Sequence, residues 1–422
     1  MKMEKKKVIV VGGGFAGLQL VRTLDPKMFE ILLIDKINHH QFQPLFYQVA
    51  TSQIEPASIS FPLRNIFKNQ RNVQIRLAEV THVDQATNKV HTDIGVFDYD
   101  YLVIAIGCRT NFFGNQNIRD HAFSLKTTYD AMQIRNHVLQ NFEDAISAPE
   151  AEKQCFLNLV IVGAGPTGVE LAGAFAEIKK NILPHDYHGI DFSKFRIILV
   201  EGAAKTLNNM SEKTKETSAK YLQRMGVELI MKTFVKDYDG RVLTLSNGEQ
   251  LPTRTVIWAA GVRGRLMEGI RDEQIAPHGK RIIVDRVNRM VGSSNVFAIG
   301  DIAYMETPRY PRAHPQLGNV AINQAKLLAK NLKAMELGKK TKPFEYRDLG
   351  SMATVGTHKA LVDFPHVHFR GLVAWFIWMF LHLMLILGVR NKLVVFINWA
   401  WAYITKDTSL RLILTRPDDR QA

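Results

Sequence analysis

Two glycine clusters, each lying between an apolar β-branched run and a helix-compatible stretch, constrain the fold of this chain more than any other feature. Val8-Ile9-Val10-Val11 runs into Gly12-Gly13-Gly14-Phe15-Ala16-Gly17, and Leu159-Val160-Ile161-Val162 runs into Gly163-Ala164-Gly165-Pro166-Thr167-Gly168. Both fit G-x-G-x-x-G. In that spacing the first glycine permits a tight turn, the second lets the backbone approach a pyrophosphate, and the third lets helix and strand pack closely. The phosphate then lies on a helix N-terminus, where unpaired N–H groups and the helix dipole favour an anion. Helix-like stretches follow from Phe15 to Leu24 and from Val169 to Ile182, and strands at Ile31 to Ile34 and Arg196 to Val200. Each half also closes on an apolar strand stopped by glycine, Tyr101 to Gly107 in the first and Val256 to Gly261 in the second. The chain therefore reads as an internal duplication of a nucleotide-binding unit, an α/β protein with two Rossmann-like domains.

An acid at the end of the second strand of such a unit accepts hydrogen bonds from ribose hydroxyls. Asp35 stands eighteen residues beyond Gly17, near the usual spacing. Glu201 stands 33 residues beyond Gly168, which requires an insertion in the crossover, placed at Asn181 to Ser193. A carboxylate at Glu201 accepts the free 2′-hydroxyl of NADH and repels the 2′-phosphate of NADPH, and Gly202-Ala203-Ala204 offers no arginine to reverse that preference. Two dinucleotide sites imply two dinucleotides, most economically a retained, non-covalent flavin (FAD) and an exchangeable nicotinamide cofactor, so the chemistry is hydride transfer. Asp301 ends the short buried strand that starts at Asn295 and is placed to bond the flavin's ribityl chain, although a Gly-Asp pair after a strand also serves as a plain turn. The helix-like stretch from Gly318 to Leu332 returns the chain to the first unit. The expected cofactor-binding residues are Gly12, Gly14, Phe15, Ala16, Gly17, Asp35, Lys36, Val80, Gly107, Asp301 and Ala321, with Gly163, Gly165, Gly168, Glu201 and Gly261.

With 422 residues the chain holds two to four domains at roughly 100 to 200 residues each. The expected division is a discontinuous FAD domain at 1–120 and 290–345, an inserted NADH domain at 121–289, and a membrane-associating region at 346–422. A net charge of +14 asks for an anionic partner, here a lipid surface rather than nucleic acid. Cys108 and Cys155 are the only cysteines, so there is no disulfide framework, CxxC pair or cysteine-rich metal site. The histidines form no HxxxH or HExxH pattern, and no metal is expected. The apolar stretch behind MKMEKKK is too short for a signal peptide, so export is not expected.

Gly371 to Val389 runs nineteen residues without Asp, Glu, Lys or Arg and carries Trp375, Phe376, Trp378 and Phe380. Gly388 and Arg390-Asn391-Lys392 limit its helix to about 16 residues, ~24 Å at ~1.5 Å per residue, short of a ~30 Å hydrocarbon core. A second piece, Leu393 to Thr405, contains Trp399, Trp401 and Tyr403. Together these pieces read as two interfacial helices lying on a membrane, with Arg370, Arg390, Lys392, Lys406, Arg411 and Arg416 beside anionic lipid. A dimer interface, a buried core hairpin and a single span are the alternatives.

The order GGGFAG, YLVIAIG, GAGPTGVE, IWAAGV, FAIGD resembles the two-dinucleotide-binding-domain flavoproteins, over essentially the whole chain. Within that superfamily, Asn38-His39-His40-Gln41-Phe42-Gln43-Pro44-Leu45-Phe46-Tyr47-Gln48-Val49-Ala50-Thr51 is similar to the corresponding stretch of type II NADH dehydrogenases, the non-proton-pumping NADH:quinone oxidoreductases. The lack of CxxC speaks against disulfide reductases, which need a dithiol beside the flavin, and two cysteines are too few for a sulfide:quinone oxidoreductase. The resemblance implies FAD-dependent oxidation of NADH with transfer of two electrons to a membrane quinone. It further implies a homodimer, peripheral (monotopic) on the cytoplasmic face of a bacterial inner membrane. It gives catalytic roles to Glu170, near flavin and nicotinamide, and to Lys359, whose ammonium would stabilise a reduced quinone oxygen. Glu170 also reads as a helix N-terminal acid, and Lys359 as a solvated surface charge. Quinone binding is implied at a segment of the form AQxAxxQ, matched in part by Gly318 to Gln324: Asn319 stands where glutamine is expected, while Ala321 and Gln324 fit. Gln316 and His314 of the preceding turn are further quinone candidates. The rival readings are a soluble NADH oxidase or ferredoxin reductase of the same fold, and a non-catalytic sensor of NADH and FAD.

Overall fold

The computed structural model describes residues 4–408 and 410–414; Arg416 lies outside them. The chain opens with β1 (Lys6–Val11), α1 (Phe15–Thr23) and β2 (Phe29–Asp35). After α2 (Phe46–Ala50) come β3 (Val73–Leu77) and β4 (Tyr101–Ile104). The grammar then repeats: α3 (Thr128–Ser147), β5 (Asn158–Val162), α4 (Pro166–Asn181), β6 (Arg196–Glu201), β7 (Val227–Met231) and β8 (Thr255–Trp258). Next stand β9 (Val296–Ala298) and α5 (Gly318–Glu336), followed by β10 (Ser351–Thr354), β11 (Ala360–Asp363) and β12 (His368–Gly371), and finally α6 (Leu372–Leu385) and α7 (Val389–Thr405).

Two compact units result. The first comprises Met1–Gln41, Phe61–Arg109 and Val262–Arg347; the second comprises Phe42–Ser60, Thr110–Gly261 and Asp348–Ala422. In the first, a parallel sheet runs in the order β9-β4-β1-β2-β3, with Val8 opposite both Ile31 and Tyr101. Its inner strands carry continuous apolar runs, Val8 to Val11 and Leu102 to Ile104 among them, as expected where both faces of a parallel sheet are covered, whereas the edge strand β3 alternates. The helix α1 packs along α5. In the second, a parallel sheet runs Phe123–Ser124, β8, β5, β6, β7, giving two sheets of one design.

These divisions differ from the expected ones at 120, 289 and 345, and burial explains the difference. Ile282 and Val284 enter the core of the first unit beside Val296 and Ala298, whereas Ile118 is buried with Val160 and Trp258 in the second. The C-terminal region joins the second unit because a helical glycine admits it: a Cβ on Gly173 of α4 would stand 2.7 Å from the Gly356 nitrogen.

The crossover between β5 and β6 is lengthened after α4 by a short helix, Leu183–Asp186, and a 3-10 turn, Phe192–Lys194. Phe142, Tyr187, Phe192 and Phe195 form an aromatic cluster that buries this insertion. The C-terminal strands form an antiparallel sheet, β10-β11-β12, that leads into α6 and α7. The first of these helices has 14 residues, about 21 Å at ~1.5 Å per residue. Arg390, Asn391 and Lys392 do not bound it; they form the first turn of α7, because Gly388 at φ +77° turns the chain ahead of them. Asn391 then donates to the Ser58 carbonyl at 3.0 Å and Lys392 to that of Met384 at 3.1 Å. Among the described residues, no helix is long and apolar enough to cross a membrane.

Candidate functional site

The two glycine turns match position by position. Gly12 and Gly163 hold φ of +104° and +103°, and a Cβ on either would clash with backbone, at 2.5 Å from the Ala105 oxygen and 2.9 Å from Ala259. Gly17 and Gly168 sit so close to those turns that a Cβ would lie 1.8 Å from the Gly12 oxygen and 1.9 Å from the Gly163 oxygen. At Gly14 and Gly165, by contrast, a Cβ would meet nothing within 4 Å. Bare backbone at the start of α1 and α4 is the surface a pyrophosphate requires, so both turns fit a dinucleotide.

The strand-end acids match as well. Asp35 accepts from the N–H groups of Gly13 and, at 2.9 Å, Ile37. Glu201 accepts from Ala164 at 2.6 Å and from Ala203 at 2.8 Å. Each carboxylate is thereby aimed at its own glycine turn. Burial raises the Asp35 pKa, against the opposing pull of those N–H donors. His40 supports the first turn from outside the glycine pattern: its Nδ1 hydrogen-bonds the Gly13 carbonyl at 2.9 Å, and its ring meets Phe15 edge-on at 5.2 Å.

Elsewhere in the first unit, Lys36 pairs with Glu79, Val80 begins the short strand Val80–Asp84, and Gly107 takes φ +66°. Ala16, Gly300 and Ala321 converge, since a Cβ on Gly300 would lie 3.1 Å from that of Ala16 and 3.4 Å from that of Ala321. Gln324 accepts the Gly300 N–H at 2.8 Å, and Gln316 donates to the Asp301 carbonyl at 3.1 Å and to the Cys108 sulfur at 2.9 Å. These two glutamines thus brace the Gly300–Asp301 turn. Asn319 is exposed in the first turn of α5, and buried His314 packs on Tyr310 and Phe344.

In the second unit, Gly261 takes φ +76°, and Glu170 lies in the first turns of α4, only 9% exposed. Burial drives its pKa from 4.5 up to about 8, opposed by the Thr354 N–H, which donates to it at 3.3 Å. Thr354 Oγ1 lies 2.9 Å from the Tyr47 hydroxyl, Gln48 donates to that hydroxyl at 3.0 Å, and Trp399 Nε1 donates to Gln48 at 2.8 Å. One buried polar chain so links α4, β10, α2 and α7.

Tyr47, Gln48 and Trp399 also line a cavity of about 340 Å³ with Glu177, Lys359 and Trp375. Its polar end is organised by Glu177, which accepts from the Thr357 N–H and, at 2.8 Å, from its hydroxyl. Lys359, on the same turn, places its ammonium 5.7 Å from the centre of the Tyr221 ring. The stretch quoted for its resemblance included Tyr47 and Gln48, but nothing local gave them roles, and Thr354 was not singled out. Glu177, which sequence reasoning missed, follows Glu170 by seven residues on α4, two helical turns along one face, and that spacing is the signal that could have found it.

A family model described as pyridine nucleotide-disulphide oxidoreductase matches residues 6–325, and one described as NDH2 C-terminal domain matches residues 349–406. Type II NADH:quinone oxidoreductase Ndh of Mycobacterium tuberculosis is 34% identical over 422 residues, covering 95% of this chain and 89% of that protein. The chain belongs to the type II NADH:quinone oxidoreductases. A Staphylococcus aureus member is 31% identical over 372 residues, covering 85% of this chain and 89% of its own. The solved structure of NDH2 from Plasmodium falciparum in complex with NADH shares the fold, at TM-score 0.89 and 20% identity over 98% of this chain and 100% of that one. Membership makes this protein an oxidoreductase.

Proposed function

We propose that this type II oxidoreductase oxidises NADH and reduces a membrane quinone, with FAD at the first glycine turn and NADH at the second. Bound FAD supplies a two-electron relay between nicotinamide and quinone. The protein's own groups do the rest. Gly14 and Gly165 present bare N–H groups to the two pyrophosphates, and Asp35 and Glu201 meet the riboses, the latter selecting NADH. Oxidation of NADH by a quinone consumes one proton beyond the hydride, and the buried Glu170 carboxyl, neutral up to about pH 8, is the group that holds it. Lys359 offers a cation to a reduced quinone oxygen, in the unit that also carries Glu170. Asn319, with the first turn of α5, is the quinone candidate of the other unit.

The membrane role rests on α6 and α7. Val373, Phe376, Phe380 and Met384 on the first, and Val389, Leu393, Ile397 and Trp401 on the second, are exposed. A patch of that size calls for a partner surface, and short helices with flanking cations suit the interface of an anionic membrane. We place the protein there as a peripheral homodimer on the cytoplasmic face.

The observation carrying this reading is the buried Glu170 carboxyl, which accepts the Thr354 N–H at 3.3 Å, in the helix that begins at the second glycine turn. Anaerobic stopped-flow tests it: NADH is expected to bleach the flavin absorbance and quinone to restore it. Bleaching without recovery by quinone would point to another acceptor, and no bleaching to a sensor.

A further inference from the structure

Arg135 of α3 is 3% exposed, and among the described residues its Nε and Nη2 have no hydrogen-bond partner. A guanidinium keeps its charge at any physiological pH, and a buried charge without a partner is strongly unfavourable. Beside it lies a cavity of about 20 Å³, walled by Phe142, Phe175 and Leu183 and by the Thr51–Ser52 end of α2. Arg411 reaches the same cavity, but its charge is already met by Asp186 and, at 2.8 Å, by Asp407. Among the described residues, the unbalanced charge is that of Arg135. Thr51 directs its hydroxyl to the Tyr47 carbonyl at 2.8 Å, whereas Ser52, held at φ +57°, also lines the cavity.

We propose that this cavity binds one small monatomic anion, a halide, held by Arg135 with Ser52. The volume accommodates one water-sized occupant, which excludes phosphate and lipid headgroups. The apolar walls suit a weakly hydrated ion, and the charge of Arg135 selects an anion over water. The ion would clamp α3 to the end of α2, the helix that carries Tyr47 and Gln48, so its loss should loosen that helix.

Thermal unfolding of the FAD-loaded protein, with chloride replaced by gluconate at constant ionic strength, tests the proposal. Gluconate is too large to enter. The midpoint is expected to rise with each further tenfold increase in chloride once the dissociation constant is passed, and Arg135→Met is expected to abolish that dependence. A wild-type midpoint indifferent to chloride, or a dependence that survives in Arg135→Met, overturns it. Should Arg135→Met fail to fold, crystals of the wild-type protein grown in bromide decide: an anomalous peak beside Arg135 supports the site, and its absence rejects it.

Discussion

The Glu170 carboxyl accepts the Thr354 N–H at 3.3 Å, tying the helix that begins at the second glycine turn to the first C-terminal strand. Burial dominates at this position, so the folded pKa of about 8 stands above the ordinary 4.5. The sign follows directly: the stability associated with the neutral carboxyl is fully present below about pH 4.5 and is lost as pH rises toward about 8. The steepest possible slope is about 1.4 kcal/mol per pH unit.

Glu170→Gln keeps an acceptor for Thr354 and removes the ionisation. Its denaturation midpoint is therefore expected to depend less on pH between those limits than that of the wild type. Quinone turnover should fall by roughly 100-fold if the carboxyl delivers the proton. Parallel pH profiles for the two proteins would remove Glu170 from this role.

Glu201 is fixed by two N–H donors, Ala164 and Ala203, so its carboxylate has little freedom to swing away from an incoming 2′-phosphate. Like charges brought together in a binding site cost several kcal/mol, and each ~1.36 kcal/mol is tenfold in rate. NADH is thus expected to exceed NADPH in kcat/KM by about 100-fold or more, and Glu201→Gln to narrow that ratio at least about tenfold. Steady-state kinetics with both nucleotides measures it; an unchanged ratio assigns the selectivity elsewhere.

The glycine turns were legible in the sequence because their constraint is local and steric: Gly12 and Gly17 meet within one turn, and so do Gly163 and Gly168. Glu201 was legible despite its long spacing because it ends an apolar strand and the intervening insertion folds onto its own aromatic cluster. The chain through Thr354, Tyr47, Gln48 and Trp399 was not, since four distant segments assemble it and each residue type is ordinary where it stands. The limits of the two compact units differ from the expected domain limits for a related reason: Ile118 and Ile282 look like any apolar residue until the core that takes them is known. Arg135 resembles a solvated helix cation in sequence, and only its burial reveals otherwise.

The glutamine of the partial quinone motif, Gln324, makes a different contact from its asparagine, Asn319, and this separates their expected effects. Gln324 accepts a buried N–H from Gly300, and losing that bond leaves an unsatisfied donor costing about 1 to 3 kcal/mol. Gln324→Leu is expected to weaken FAD retention, measured as flavin released on dilution. Asn319→Leu fills the same space at an exposed position. It should leave reduction of FAD by NADH unchanged while slowing reoxidation by quinone several-fold, up to about tenfold for ~1.4 kcal/mol. Equal slowing of both half-reactions by Asn319→Leu, with FAD fully bound, would discard this segment as the quinone site.

The apolar faces of α6 and α7 can be tested without disturbing the fold, because the same helices bury other side chains. Trp378 and Trp399 are buried, and Trp399 donates to Gln48 at 2.8 Å. Deleting the chain after Arg370 would therefore expose Gln48 and disrupt the polar chain to Glu170, confounding anchoring with stability. Replacing exposed Phe376, Phe380, Ile397 and Trp401 with serine leaves those contacts in place. Burying each such side chain in lipid contributes up to roughly 1.5 to 3 kcal/mol, so the four changes together should lower partitioning into anionic vesicles by more than about 100-fold. Turnover with a long-chain quinone in vesicles should fall in step, while reduction of FAD by NADH in solution stays near the wild-type rate. If the fourfold variant still sediments with vesicles like the wild type, or becomes a monomer with membrane binding intact, these faces meet protein rather than lipid.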